Sequence, residues 1–478
     1  MAEVVVEVFE PISDAMDGMN EMGCGFALVM DSRSLVGVMT DGDIRRYLRA
    51  GGSVEDPSAY AMNPSFTWLS PETAPEEVQR ALRVLPFIPI LDSKGSLVYV
   101  ATQDRPHRIP LAEPFIGDAE EARLFECFRS GWFSSRSPFV AEFEEAFSAY
   151  IGVTHGLCVS NGTVALELAL RALGISAGDE VIVPDLTFGA TANAVLNVGA
   201  SPRFVDVTTD DWGIDPEALR DALSERTRGV ILVHLYGAPA RLAEIRTICD
   251  ARGLFLIEDC AEAIGARISG VHVGTVGDAA TFSFFANKTI TTGEGGYVTF
   301  RDDEMLRLAK KVRDHGLSRA PGEDYWHEVQ GSNMRMTGLQ AAIGIAQVNR
   351  ADHITSVKRE IAEMFRSELE GIDGIEIRGD LGENLNSQWL VVAILSAELA
   401  EMRRTLQTHL GLLGIETRLG FQPLHQMPAF SGFQDAPLPE RSIAISQKIL
   451  CLPSGAKVGT EQVRVVAEAI KGFAASHS

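Results

Sequence analysis

Residues 281–296 read TFSFFANKTITTGEGG, and the fold turns on how they are read. The apolar run 282–286 predicts a strand buried on both faces, and Lys288 stands just past its end. The following TITTGEGG supplies glycines for a tight turn into a second apolar run, 297–300, so the lysine sits at a strand end in a strand-turn-strand unit. A lone lysine at a turn is ordinarily a surface residue. Two features set this one apart. The stretch lacks the G-x-x-x-x-G-K-[ST] spacing of a phosphate-cradling loop, and upstream a second apolar run, LFLIEDC, ends in the acidic pair Glu258 and Asp259. A lysine and a carboxylate at the ends of neighbouring buried strands predict a cofactor held between them. Pyridoxal phosphate needs both, the lysine for attachment and the carboxylate at its pyridinium nitrogen.

Around this unit the chain alternates between helical and strand patterns. From residue 142 it gives a helix over 163–173, then EVIVP, a helix after Phe188, RFVDV, GVILVHL and LFLIED. Such alternation predicts an α/β domain over 115–350 with right-handed crossovers and a mainly parallel sheet, whose ligand lies at the carboxyl ends of the strands. After Gln340 a helical stretch leads into a smaller α+β domain, 351–478, closed by an amphipathic helix that T-E-Q-V opens. Residues 1–103 fall into two similar halves, FALVMDSRSLVGVMTDGDIRRYL and FIPILDSKGSLVYVATQDR, each a strand, an Asp-Ser turn and a strand. Between these regions QDRPHRIPLAEP carries three prolines and few apolar residues, which predicts a linker over 104–114.

At 478 residues the chain holds about three domain-sized units. Lys and Arg number 42 against 65 Asp and Glu, a net charge of −23. That balance argues against nucleic acid or an anionic membrane as partner, and a phosphorylated substrate must find a local basic pocket. The six cysteines, Cys24, Cys127, Cys158, Cys249, Cys260 and Cys451, are scattered without metal spacing, so neither disulfides nor a metal site is expected. MAEVVVEVFE has no basic segment ahead of a long apolar core, and no stretch approaches roughly eighteen uninterrupted apolar residues. A soluble, cytoplasmic protein is expected.

The segments VSNGTVALELAL, GDEVIVPDLTF, VHLYG, IEDCAEAIGA, FSFFANKTITTGEGG, NMRMTGLQAAIG and QPLH follow one another in this order. On them, residues 110–474 resemble the fold-type I sugar aminotransferases of the DegT/DnrJ/EryC1/StrS family, and within it the GDP-perosamine synthases. Residues 1–103 are similar to a CBS-domain pair, the module that commonly senses nucleotides. The resemblance implies a pyridoxal 5'-phosphate enzyme, a homodimer or dimer of dimers, with L-glutamate as amino donor. Its acceptor would be a nucleotide-diphosphate 4-keto-6-deoxy sugar, GDP-4-keto-6-deoxymannose being the first choice.

Site residues follow from the same resemblance. Lys288 is the implied cofactor lysine and proton shuttle, and Asp259 keeps the pyridine nitrogen protonated. Phe188 stacks on the ring and Glu262 lies near its hydroxyl. Ser283, Gly162 and Thr163 hold the phosphate, the last two where a loop opens into a helix N-terminus with free amides and a positive dipole end. Asn333 reaches the cofactor of the neighbouring subunit, which puts two sites at a twofold interface. His327, Arg335, Arg418 and His425 are the implied substrate contacts, with a structural ion pair as the alternative for Arg335. In the first CBS half, Gly37, Thr40 and Asp43 stand as G-x-x-T-x-x-D, where the threonine and aspartate would contact the phosphate and ribose of a nucleotide effector. The same Thr40 and Asp43 also spell a helix capping pattern. ATQDR in the second half offers Thr102 and Asp104 at the wrong spacing.

Two other functions share parts of this pattern. A sugar dehydratase of the same fold replaces the lysine by histidine, and Lys288 counts against it. A non-catalytic CBS-linked sensor would have no need of Lys288, Asp259, Ser283 and Asn333 together.

Overall fold

A computed structural model describes residues 4–22, 24–32, 34–103, 108–318, 320, 324–433 and 438–477. They form two compact units: the described residues up to Ile109 with Gly411–Ile415, and Pro110–Leu410 with the described residues from Glu416 onward.

In the first unit β1 (Val5–Glu7), β2 (Phe26–Asp31) and β3 (Ser34–Thr40) form one sheet, and β4 (Phe87–Leu91) pairs with β5 (Leu97–Thr102) as an antiparallel hairpin. Both hairpins break register at the same point of the repeat, between Val29 and Met30 and between Ile90 and Leu91. A two-stranded hairpin is marginal alone. Here Leu28, Leu35 and Val38 of one half bury against Phe87, Leu91 and Val100 of the other, with Phe26 stacked on Phe87 at 4.0 Å. Asp104 and the rest of 104–107 lie outside the described residues. From Leu111 the expected linker is fixed in the second unit: the Leu111 carbonyl accepts from the Ser454 amide at 2.7 Å, and its side chain is buried.

The second unit is built on seven strands: β6 (Gly156–Val159), β7 (Glu180–Pro184), β8 (Ser201–Val205), β9 (Thr227–Val233), β10 (Phe255–Asp259), β13 (Ala279–Ser283) and β14 (Gly296–Phe300). A short ribbon of β11 (Arg267–Ile268) and β12 (Val271–His272) lies between β10 and β13 in the chain. The spatial order is β6-β14-β13-β10-β9-β7-β8, parallel except for β14, which runs against both β13 and β6. Alternate strand residues enter different cores. Leu157 and Val159 pack with Leu166 and Ala169, whereas Cys158, between them, packs with Phe143 and Phe147. Both faces are therefore covered, which is why these strands read as unbroken apolar runs.

The strand predicted over 282–286 is instead Ala279–Ser283. The Phe284 amide still bonds the Gly295 carbonyl at 2.9 Å, but the Phe284 carbonyl takes the Thr292 amide at 3.0 Å, which closes the glycine turn and ends the ladder. Phe284 is still core, edge-on to Phe147 at 5.0 Å, but Phe285 is exposed. Hydrophobicity therefore extended the strand beyond its hydrogen bonding.

The chain then forms a helix at Ala351–Glu368 and an antiparallel sheet of β15 (Ile375–Ile377), β16 (Val391–Leu395), β17 (Arg418–Leu419) and β18 (Ile449–Leu452), ordered β15-β16-β18-β17. The final helix, Thr460–Ser476, packs on Ala351–Glu368. Among the described residues, no helix is long and apolar enough to cross a membrane.

His272 carries a testable consequence of this packing. Its Nε2 accepts the Gly265 amide at 2.8 Å and its Nδ1 faces the Val273 carbonyl at 2.6 Å, an arrangement only the neutral ring with a protonated Nδ1 satisfies. Burial pushes its pKa down to about 4. The unfolded chain, with an ordinary histidine near 6.5, binds a proton over an interval where the folded chain does not. Stability of this unit should fall by ~3 kcal/mol as pH drops from about 6.5 to about 4. Chemical denaturation of His272→Gln should show that portion of the profile flattened; equal slopes would refute the account.

Candidate active site

The carboxyl ends of β7, β9, β10 and β13 meet at one edge of the sheet. The acidic pair that ends β10 divides there, because neighbouring strand residues point to opposite faces. Glu258 turns into the protein. Its carboxylate takes the amides of Gly274, Val276 and Gly277 at 2.7, 2.8 and 2.7 Å and meets Nε2 of His234 at 3.2 Å. His234 Nδ1 accepts the Ala240 amide at 3.0 Å, so the proton sits on Nε2. Burial alone would raise the Glu258 pKa, but His234 and the amides outweigh it and hold the group below its usual value. Every partner of this carboxylate is structural.

Asp259 is also buried, with Oδ2 accepting the Thr191 hydroxyl at 3.0 Å and Oδ1 the Ala261 amide at 3.1 Å. Burial raises its pKa, opposed by those two bonds and by the Lys288 charge. Thr191 lies in the first turn of the helix Ala190–Asn197, which follows Phe188. Lys288 Nζ is 3.7 Å from Glu262 Oε1 and 3.8 Å from the centre of the Trp389 ring. Glu262 is fixed through its other oxygen, which accepts the Tyr236 amide at 2.8 Å. Burial lowers the Lys288 pKa and raises that of Glu262 to about 7. Burial thus disfavours the charged form of each partner.

Two further features border this cluster. Phe188 is 60% exposed, an unusual position for a phenylalanine at the mouth of a buried sheet, and meets Phe421 at 5.9 Å. On the other side Asn161 caps the helix Gly162–Ala172, its Oδ1 accepting the Val164 amide at 2.9 Å. The first-turn amides of Gly162 and Thr163 belong to the set a helix leaves without intrahelical partners. Ser283 stands beside them. A Cβ at position 162 would lie 2.8 Å from the Ser283 Cβ and 3.1 Å from its Oγ, so glycine is what keeps this corner open. The donor set fits pyridoxal phosphate: an amine, a clamped carboxylate, an exposed ring, and an anion corner of amides and a hydroxyl.

The other expected residues are placed differently. Arg418, on β17, is exposed and makes no ion pair among the described residues, and its charge contributes to lowering the Lys288 pKa. His425 is buried, with its amide and Nδ1 both on Asp185, at 2.9 and 2.8 Å. Asn333 is exposed, and its backbone bridges to Asp314. Arg335 pairs with Asp314 and donates to Ser135 at 2.9 Å, so the ion pair is the arrangement observed. It lines a separate cavity of about 550 Å³ with Arg136, Lys310 and Arg313. His327 is exposed, its Nδ1 meeting the His315 carbonyl at 2.7 Å. In the first unit Thr40 and Asp43 bond each other in a closed capping box at the start of the helix Asp41–Arg49, and Asp43 also pairs with Arg46 at 2.6 Å. The capping pattern is therefore present there. Sequence reasoning missed Thr191, Tyr236 and Trp389; Thr191 had a local cue in its place one turn after Phe188, and Tyr236 in its place within VHLYG.

The profile of the DegT/DnrJ/EryC1/StrS aminotransferase family matches residues 114–471, and that of the CBS domain matches residues 2–50, the first of the two repeats. GDP-perosamine synthase of Vibrio cholerae is 40% identical over 76% of the chain and 99% of its own length. The enzyme of the same name from Escherichia coli O157:H7 is 41% identical over 76% of the chain and 98% of its own length. The crystal structure of the aminotransferase TlmJ from Streptoalloteichus hindustanus superposes with a TM-score of 0.72 at 30% identity, covering 77% of the chain and 99% of that structure. The chain therefore belongs to the DegT/DnrJ/EryC1/StrS family and is a pyridoxal phosphate-dependent sugar aminotransferase.

Proposed function

We propose that the enzyme carries an amino group from L-glutamate to the keto carbon of a nucleotide-linked 4-keto-6-deoxy sugar, with GDP-4-keto-6-deoxymannose as acceptor and GDP-perosamine as product. The observation that carries the chemistry is the approach of Lys288 to Glu262 at 3.7 Å beside the clamped Asp259. The choice of sugar rests on the name shared by the two relatives about 40% identical.

Lys288 would hold the cofactor, Asp259 its ring nitrogen and Phe188 its face. Ser283 and the amides of Gly162 and Thr163 would take its phosphate, joined by Asn333 of a second subunit. Bound there, pyridoxal phosphate supplies an electron sink for the donor's α-carbon and a carrier for its nitrogen. Lys288 Nζ takes the α-proton and returns it, which requires a neutral amine, the form that burial favours. Glu262 is placed to take up the proton Lys288 sheds. Asp259 is kept from turning by Thr191 and Ala261, so its charge stays where a cationic ring nitrogen needs it. Arg418, free of ion pairs among the described residues, suits an anionic substrate group better than Arg335, whose guanidinium is taken by Asp314 and Ser135. The exposed His327 is a second candidate for that contact. His425, tied to Asp185, acts by holding the loop that follows β7.

Lys288→Ala should show no measurable transamination while keeping its circular dichroism and melting temperature; near-native turnover would refute the mechanism. Asp259→Asn should retain cofactor yet lose on the order of a hundredfold or more in rate, the range for a lost electrostatic stabiliser. Unchanged kinetics would remove Asp259 from the role.

The acceptor is tested with a panel of GDP-, dTDP- and UDP-linked 4-keto-6-deoxy sugars and glutamate, the aminated product being read by mass. Amination of another nucleotide's sugar in preference to the GDP sugar would overturn the substrate choice and leave the reaction type standing.

Subunit crossing is tested with a protomer carrying both Lys288→Ala and Asn333→Ala, paired with wild type. If Asn333 crosses, each site has one lesion and activity lies well below half. If it serves its own subunit, one site is untouched and about half the activity remains, as for independent sites.

A further inference from the structure

Trp389, in the segment leading into β16, is 2% exposed and makes two contacts to the lysine segment. Lys288 Nζ lies over its ring, 3.8 Å from the centre, and its Nε1–H donates to the Asn287 carbonyl at 2.8 Å. One side chain thus touches both the head of the lysine and the backbone one residue before it. The indole is itself held. It stacks on Tyr236 at 6.1 Å and 13°, and Tyr236 stacks in turn on Phe421 at 5.1 Å and 12°. The Tyr236 hydroxyl accepts the Phe421 amide at 2.9 Å, and Trp212 packs edge-on against Tyr236.

We propose that Trp389 is a positioning residue for Lys288, its ring face retaining the ammonium and its N–H fixing the turn from which the lysine projects. The proposal rests on the reading of Lys288 as the cofactor lysine. Four groups besides burial act on this amine. Glu262 and Asp259 favour its charged form, Arg418 disfavours it, and the indole, the strongest of the aromatic rings for a cation, favours it. Glu262 is itself biased toward neutrality, so it is an inconstant counter-ion. The ring carries no titrating proton. It holds the amine at the sheet end whether or not Glu262 is ionised, and helps set the pH at which Lys288 becomes a base.

The test uses cofactor-free protein, so that it reads the amine directly. Acetic anhydride labelling of the Lys288 peptide is followed by mass spectrometry across the pH range in which lysines titrate. Removing the ring should destabilise the ammonium, so the labelling midpoint of Trp389→Leu should fall by about one pH unit. Trp389→Phe, which keeps a face, should shift it less. Wild-type protein made with progressively fluorinated tryptophan keeps shape and N–H but loses ring charge, and its midpoint should fall stepwise with fluorine number. A tryptophan that merely fills space would lower the melting temperature of Trp389→Leu and leave every midpoint in place, which would overturn the proposal. The fluorination series decides the matter even if Trp389→Leu does not fold. Covalent retention of cofactor by Lys288→Ala would instead refute the lysine assignment, a result independent of the labelling midpoints.

Discussion

A lysine amine buried at the end of a sheet must be stabilised from more than one side, and the second unit is arranged around that demand. Burial opposes the charge on Lys288, while Glu262 at 3.7 Å, Asp259 nearby and the Trp389 ring at 3.8 Å support it. Burial and these groups pull in opposite directions, and burial prevails: the Lys288 pKa lies below that of an ordinary lysine. A fully formed buried ion pair would hold the lysine charged and useless as a base.

The balance depends on carboxylates that cannot swing. Glu258 shows how the scaffold secures this: four donors saturate it, and with it the loop at 274–277 and the chain after β9 are tied to the end of β10. Asp259, one residue on and facing the other way, inherits a fixed position. Its own two donors come from the helix after β7 and from the turn that follows β10, so three parts of the sheet edge converge on one carboxylate. Buried polar groups arranged in this way are stable only when every partner is present.

The aromatic pile does for the lysine what the Glu258 network does for the carboxylates. Trp389 and Phe421 come from the smaller sheet's segments, Tyr236 from the turn after β9 and Phe188 from the loop after β7. Flat rings stacked within about 6 Å transmit position without charge. The anion corner works by the opposite means, an absence: at residue 162 a side chain would collide with Ser283.

Much of this arrangement is legible in the sequence. The apolar runs of β7, β9 and β10 and the helices between them announced a parallel sheet, because strands covered on both faces need no polar alternation. The lysine after one run and the acidic pair after another predict a site at the strand ends, and Lys288 does lie near Asp259 in the structure. The division of labour between Glu258 and Asp259 was not legible, since both sit in the same run and only the pairing of β10 with its neighbours decides which face each one sees. Phe284 reads as strand because a buried aromatic looks alike in a ladder and in a tight turn. Nor were the partners of Arg335 and His425 legible, since Asp314 and Asp185 stand 21 and 240 residues away in the chain. Sequence alone thus determined the kind of sheet and the cofactor, both of which are written in local runs and their order. Tertiary structure alone decided which charges are spent on scaffolding, and placed Trp389 against a lysine far from it in the chain, because such contacts come from packing that no local pattern encodes.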